Sequence, residues 1–114
     1  MKRISTHVLD TALGKPAADV GVRLERLDES GAWVQLEAAK TDADGRCAQL
    51  LPPGDELRAG RYRLEFATGH YFIARGVAGL YPVVEITFEA RDGDNHFHVP
   101  LLLSPNGFTT YRGT

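Results

Sequence analysis

Apolar and polar residues alternate with a period of two along most of this chain. In Arg61–Ala67, Tyr62, Leu64 and Phe66 share one face, while Arg61, Arg63 and Glu65 share the other. Val84, Ile86 and Phe88 stand opposite Glu85, Thr87 and Glu89, and Val20, Val22 and Leu24 alternate with Gly21, Arg23 and Glu25. Successive side chains of a strand point to opposite faces, so this pattern predicts half-buried antiparallel strands. Turn residues separate the runs at Gly14–Pro16, Glu29–Gly31, Asp42–Gly45, Pro52–Gly54 and Asp92–Asn95. Seven or eight short strands at this spacing predict an all-β sandwich within one domain, residues 1–114.

One segment breaks the alternation. Thr68–Gly76 has Thr68 placed to cap a helix start and Gly76 placed to end it. It predicts one short helix of about two turns closing the sandwich.

Composition narrows the function classes. Hydrophobic residues make up 43% and charged residues 25%, ordinary for a globular protein. The net charge of −2 offers no basic footprint for nucleic acid, and no apolar run approaches a membrane span. The first residues lack the apolar segment of a secretory leader. Cys47 is the single cysteine, expected as a packing residue and not a nucleophile, and the whole points to the reducing cytoplasm.

The candidate chemistry lies near the two ends of the chain. His96 and His98 are two residues apart on the expected last long strand, so both imidazoles face the same way, and Phe97, Val99, Leu101 and Leu103 face the core. Such a pair suits metal ligation or acid–base work near neutral pH, and equally fits two surface histidines on a strand edge. His7 shares a face of the first strand with Ser5, Leu9 and Thr11, and gains interest only if the first and last strands meet. Arg46 follows the tight turn Asp42–Gly45, which lacks the further ligands of a calcium loop. Arg46 is a solvated strand-start residue or a rigid fork for a planar anion. Tyr111–Thr114 closes the chain as given, with Gly113 expected to permit an unusual backbone angle.

Taken together, Ser5-Thr-His-Val-Leu-Asp-Thr-Ala12, Gly14-Lys-Pro16, Thr41-Asp-Ala-Asp-Gly-Arg46, His98-Val-Pro-Leu-Leu-Leu-Ser-Pro105 and Tyr111-Arg-Gly-Thr114 resemble the 5-hydroxyisourate hydrolase family of transthyretin-like proteins. The resemblance spans nearly the whole chain. It implies a transthyretin-type sandwich of two four-stranded sheets with one short helix. It also implies a homotetramer, a dimer of dimers, with sites in a channel between the dimers.

The activity it implies is hydrolysis of 5-hydroxyisourate, without a cofactor or metal, on the route from urate to allantoin. Its functional positions carry over onto His7, Arg46, His98 and Thr114 as catalytic residues, with Tyr111, Arg112 and Gly113 joining His7 and Arg46 in binding substrate. His7 is expected to take the proton from water, with the Thr114 hydroxyl as a relay, while His98 orients the water or returns the proton. Thr114 stands where the family has serine, Phe97 where it frequently has tyrosine, and Asn106 and Phe108 occupy a turn where it often has aromatics. Two rivals remain: a carrier of small aromatic ligands in the same channel, and a zinc protein using His7, His96 and His98.

Overall fold

The alternating runs form two β-sheets packed face to face in a computed structural model that describes residues 2–114. The first sheet contains β1 (Arg3–Asp10), β2 (Lys15–Pro16), β8 (His96–Ser104) and β9 (Gly107–Thr110) in the order β2-β1-β8-β9, with the two-residue β5 (Arg46–Cys47) added along β1. The second contains β3 (Gly21–Leu27), β4 (Trp33–Lys40), β6 (Gly60–Phe66) and β7 (Val84–Ala90) in the order β4-β3-β6-β7. One helix, α1 (Thr68–Ala74), follows β6.

The inner faces supply the core. Ile4 and Val8 of β1 and Phe97, Val99, Leu101 and Leu103 of β8 meet Val22, Leu24, Tyr62, Leu64, Phe66, Val84 and Ile86 of the second sheet. Burying one such side chain stabilises the fold by about 1.5–3 kcal/mol. Tyr62 is fully buried because its hydroxyl finds partners, donating to the Arg58 carbonyl at 3.1 Å and accepting the Arg58 N–H at 3.0 Å. Cys47 is buried, and burial followed by the Asp42 charge pushes its thiol up to about 11. It stays protonated and packs, as expected from the sequence.

The helix ends as expected but begins differently. Gly76 has φ +70°; its N–H donates to Ile73 and that of Val77 to Phe72, a Schellman closure. Thr68 is not the cap: that position falls to Ala67, whose side chain has nothing to offer. The Thr68 hydroxyl instead donates to the Tyr81 carbonyl at 2.9 Å, tying the helix to the loop that leads into β7. Tyr71 anchors the other side by donating to the buried Asp10 carboxylate at 2.8 Å.

The outer faces of the sheets differ. On the second sheet, Arg63 pairs with Glu25 and Arg23 with Glu65, each at 2.8 Å, and Arg63 lies over Trp33. These ion pairs cover the outer face of that sheet, with Glu25 itself buried. On the first sheet the outward side chains of β1 and β8 include Ser5, His7 and His98. That pairing places the two chain ends together. β1 and β8 run parallel in register from Arg3↔His96 to Asp10↔Leu103. Asp42–Gly45 is a turn, and Phe108 belongs to β9 and not to the turn before it.

Candidate active site

Strand register sets the site residue by residue. Ser5 lies opposite His98 and His7 opposite Pro100 across β1–β8, while His7 lies opposite Arg46 across β1–β5. Directly paired residues of antiparallel strands have Cβ atoms about 4.5–5.5 Å apart, so His7 and Arg46 are immediate neighbours. His7 and His98 are diagonal neighbours on the same outer face.

Arg46 is held in place by its own turn. Asp42 Oδ1 accepts the N–H groups of Asp44 at 2.9 Å and Arg46 at 3.0 Å, and Asp42 N–H donates back to the Arg46 carbonyl. Gly45 sits at φ +77° with its carbonyl accepting the Val8 N–H at 2.7 Å. A Cβ on Gly45 would lie against the Val8 carbonyl oxygen, a contact no side chain can hold. Gly45→Ala is therefore expected to destabilise the protein by at least about 1–3 kcal/mol from the left-handed backbone alone. Thermal unfolding checks this; an unchanged midpoint would contradict it.

His98 is clamped on two sides. Its Nδ1 is 2.8 Å from Ser5 Oγ, and its carbonyl accepts the Gly113 N–H at 2.7 Å. Gly113 does not adopt the unusual backbone angle expected from the sequence, since it is absent from the positive-φ glycines. Space explains it instead: a Cβ there would stand 2.5 Å from His98 Cδ2 and 3.2 Å from Cγ. Burial, then the charges of His7, His96 and Arg46, hold the His98 imidazole below its ordinary 6.5.

That shift has a defined sign. The unfolded chain binds the proton more readily than the folded one, so the stability linked to His98 is fully present above 6.5. It is lost as pH falls through the folded value. Unfolding temperatures measured on both sides of 6.5 are expected to drop more steeply toward acid for the wild type than for His98→Gln; parallel curves would contradict the shift.

A cavity of about 230 Å³ opens beside this cluster, lined by Arg3, Ser5, Arg46, His96, His98 and Thr114 among others. Larger hollows lie elsewhere, but none of them gathers these groups. Arg46, His98 and Thr114 thus meet at one wall, with His7 adjacent through Arg46. Tyr111 and Arg112 do not line the cavity. Tyr111 is exposed. Arg112 lies 4.4 Å over the Phe97 ring and donates to the His96 carbonyl at 3.2 Å, fastening the closing residues to the start of β8.

Nothing in the local sequence pattern marks Ser5 as the partner of His98 or Arg3 as a cation of the wall. Ser5 shares the His7 face, a signal of the site but not of this partner; Arg3 carries none until β1 and β8 are paired. Among the described residues no group of three or more His, Cys, Asp and Glu side chains is placed to hold a metal ion.

Residues 4–113 match the HIUase/Transthyretin family. A 5-hydroxyisourate hydrolase from Caulobacter vibrioides is 50% identical over 119 residues, covering 100% of both chains. Of solved structures, the Klebsiella pneumoniae 5-hydroxyisourate hydrolase matches with TM-score 0.85 and 38% identity over 100% of both chains. Sea bream transthyretin in complex with thyroxine matches with TM-score 0.91 and 32% identity, over 98% of this chain and 95% of that one. The backbone thus fits both a hydrolase and a transthyretin in complex with thyroxine, the second with the higher TM-score, so the fold alone does not separate them and the side chains must.

Proposed function

This chain belongs to the HIUase/Transthyretin family, and on that footing we propose that it is an enzyme hydrolysing 5-hydroxyisourate. Identity of 50% over the full length of a 5-hydroxyisourate hydrolase favours this reading over that of a ligand carrier. The observation that carries the site is the convergence of His7, Arg46, His98 and Thr114, from four separate stretches of sequence, on one outer face of the first sheet.

In the reaction, water adds to a ring carbonyl carbon, the C–N amide bond breaks, the departing nitrogen gains a proton and the carbon becomes a carboxylic acid. The product of that ring opening is 2-oxo-4-hydroxy-4-carboxy-5-ureidoimidazoline. We assign His7 as the base that takes the proton from water, an imidazole being suited to this near neutral pH. Arg46 is the fork that binds the anionic face of the substrate and stabilises the tetrahedral oxyanion, a contribution of about 3–4 kcal/mol for a well-placed donor. His98 is the second imidazole of the wall. Thr114 supplies a hydroxyl beside it; Tyr111, Arg112 and Gly113 do not line the cavity of the single chain, and in this reading they meet the substrate where a partner chain completes the site.

The finer features follow from the same reading. β7 and β9 are each paired on one side only. Open strand edges invite pairing with another chain, which supports a homotetramer built as a dimer of dimers with each site completed across an interface. The exposure of Arg46, His96 and Tyr111 in a single chain agrees with that assembly. Among the described residues no helix is long and apolar enough to cross a membrane, and the buried single thiol suits the cytoplasm. Catalysed decay of 5-hydroxyisourate by the purified protein tests the activity; an oligomer mass from light scattering tests the assembly.

A further inference from the structure

We propose that Ser5 is a positioning residue of the hydrolytic site: its hydroxyl donates to His98 Nδ1 and so confines the His98 proton to Nε2. This rests on the hydrolase reading above and divides the labour of the two histidines.

One proton decides the arrangement. Ser5 is 6% exposed, and its Oγ lies 2.8 Å from His98 Nδ1. Among the described residues this is the one hydrogen bond its side chain makes. A hydroxyl carries one donor and can also accept. If His98 Nδ1 carried the proton, Ser5 would accept it and its own proton would have no acceptor among the described residues, only the cavity it lines. A donor without a protein partner is the less favourable arrangement. The arrangement that satisfies both groups has Ser5 donating and Nδ1 accepting, with the ring proton on Nε2.

Packing holds the plane of the ring, and the Ser5 hydroxyl is the contact that turns Nδ1 toward β1. Gly113 packs against Cδ2, and the His98 backbone is pinned through its carbonyl. The parallel register holds Ser5 directly across from it, and Thr6, the next residue, is buried with its hydroxyl donating to the Val99 carbonyl at 2.6 Å. The Ser5 backbone therefore has little freedom to drift. Arg46, His7 and His96 surround the ring with positive or protonatable groups that disfavour a second proton.

A neutral imidazole with its proton on Nε2 is a hydrogen-bond donor, and losing that proton would leave an unfavourable anion. His98 is then no base. It donates to the developing oxyanion together with Arg46, the role that preorganised donors fill in acyl transfer. The proton cycle falls to His7, which takes a proton from water and returns it to the departing nitrogen, so the enzyme ends as it began.

The test is a long-range nitrogen–proton correlation spectrum of the histidine rings in the wild-type protein at neutral pH, with His98 assigned by its loss in His98→Gln. A protonated Nε2 and an unprotonated, hydrogen-bonded Nδ1 are expected; a protonated Nδ1 would overturn the proposal. Kinetics give the second readout. Ser5→Ala is expected to lower kcat by about 10–100-fold, the range for losing the partner that orients a functional histidine, with KM little changed and the two tautomers mixed. Ser5→Thr, which keeps the hydroxyl, is expected to restore both. Ser5→Ala with wild-type kcat and an unmixed tautomer would defeat the idea. Because the spectrum is read without substrate, a wild-type protein lacking hydrolase activity would sink the functional reading separately.

Discussion

His7→Ala is expected to lower kcat for 5-hydroxyisourate hydrolysis by about 10²–10⁴-fold, the span contributed by a positioned general base. The size of the effect follows from where His7 sits. It is directly opposite Arg46 and diagonal to His98, on a face turned away from the core. Its half-buried side chain is absent from the fully buried set, so its removal leaves no core cavity. Stability is expected to stay within about 0.5 kcal/mol of the wild type, as for substitutions away from the core. Steady-state kinetics and thermal unfolding on the same preparation separate the two effects. A variant with near wild-type kcat would remove His7 from the chemistry; one that unfolds would make its role structural.

Gly113→Ala should be nearly as damaging to activity, and for a different reason. The added Cβ would stand 2.5 Å from His98 Cδ2 and 3.3 Å from the His98 carbonyl oxygen. Either the imidazole swings off Ser5 or the closing residues leave β8 and take Thr114 out of the wall. A shift of about 1 Å in a reacting group can cost about 10²-fold in rate, and a loss of that order in kcat/KM is expected. The fold should survive, because Gly113 contributes one isolated bridge to the sheet and nothing to the core. Gly107→Ala is the matched control: a Cβ there meets Ser104 Oγ at 3.8 Å, an ordinary contact. Equal activity in the two variants would contradict the clamp.

Legibility in the sequence depended on length and on partners. β1, β6, β7 and β8 each run seven to nine residues, long enough for the two-residue period to announce them and to say which side is buried. β2 and β5 have two residues each. No periodicity exists in two residues, so Arg46 is legible as the start of a strand after its turn, but nothing local says that this strand pairs with β1 and sets Arg46 against His7. Thr68 fits the composition of a cap, yet its hydroxyl found the Tyr81 carbonyl, a partner no local pattern contains.

The same limit applied to the site. His7, Arg46, His98 and Thr114 were visible as residue types and through the family resemblance, but their meeting depends on a parallel pairing of segments 93 positions apart. A one-residue slip in that register would turn every outward side chain inward. Only the paired strands reveal that Ser5 faces His98 and that Gly113 is a glycine for want of space.

The most direct measurement is the absorbance decay of 5-hydroxyisourate, generated in place by oxidising urate, with and without this protein. Decay accelerated in proportion to wild-type protein, and returned close to the uncatalysed rate by His7→Ala, is the result expected of a hydrolytic site on the outer face of the first sheet. Decay at the spontaneous rate with folded wild-type protein present would contradict it.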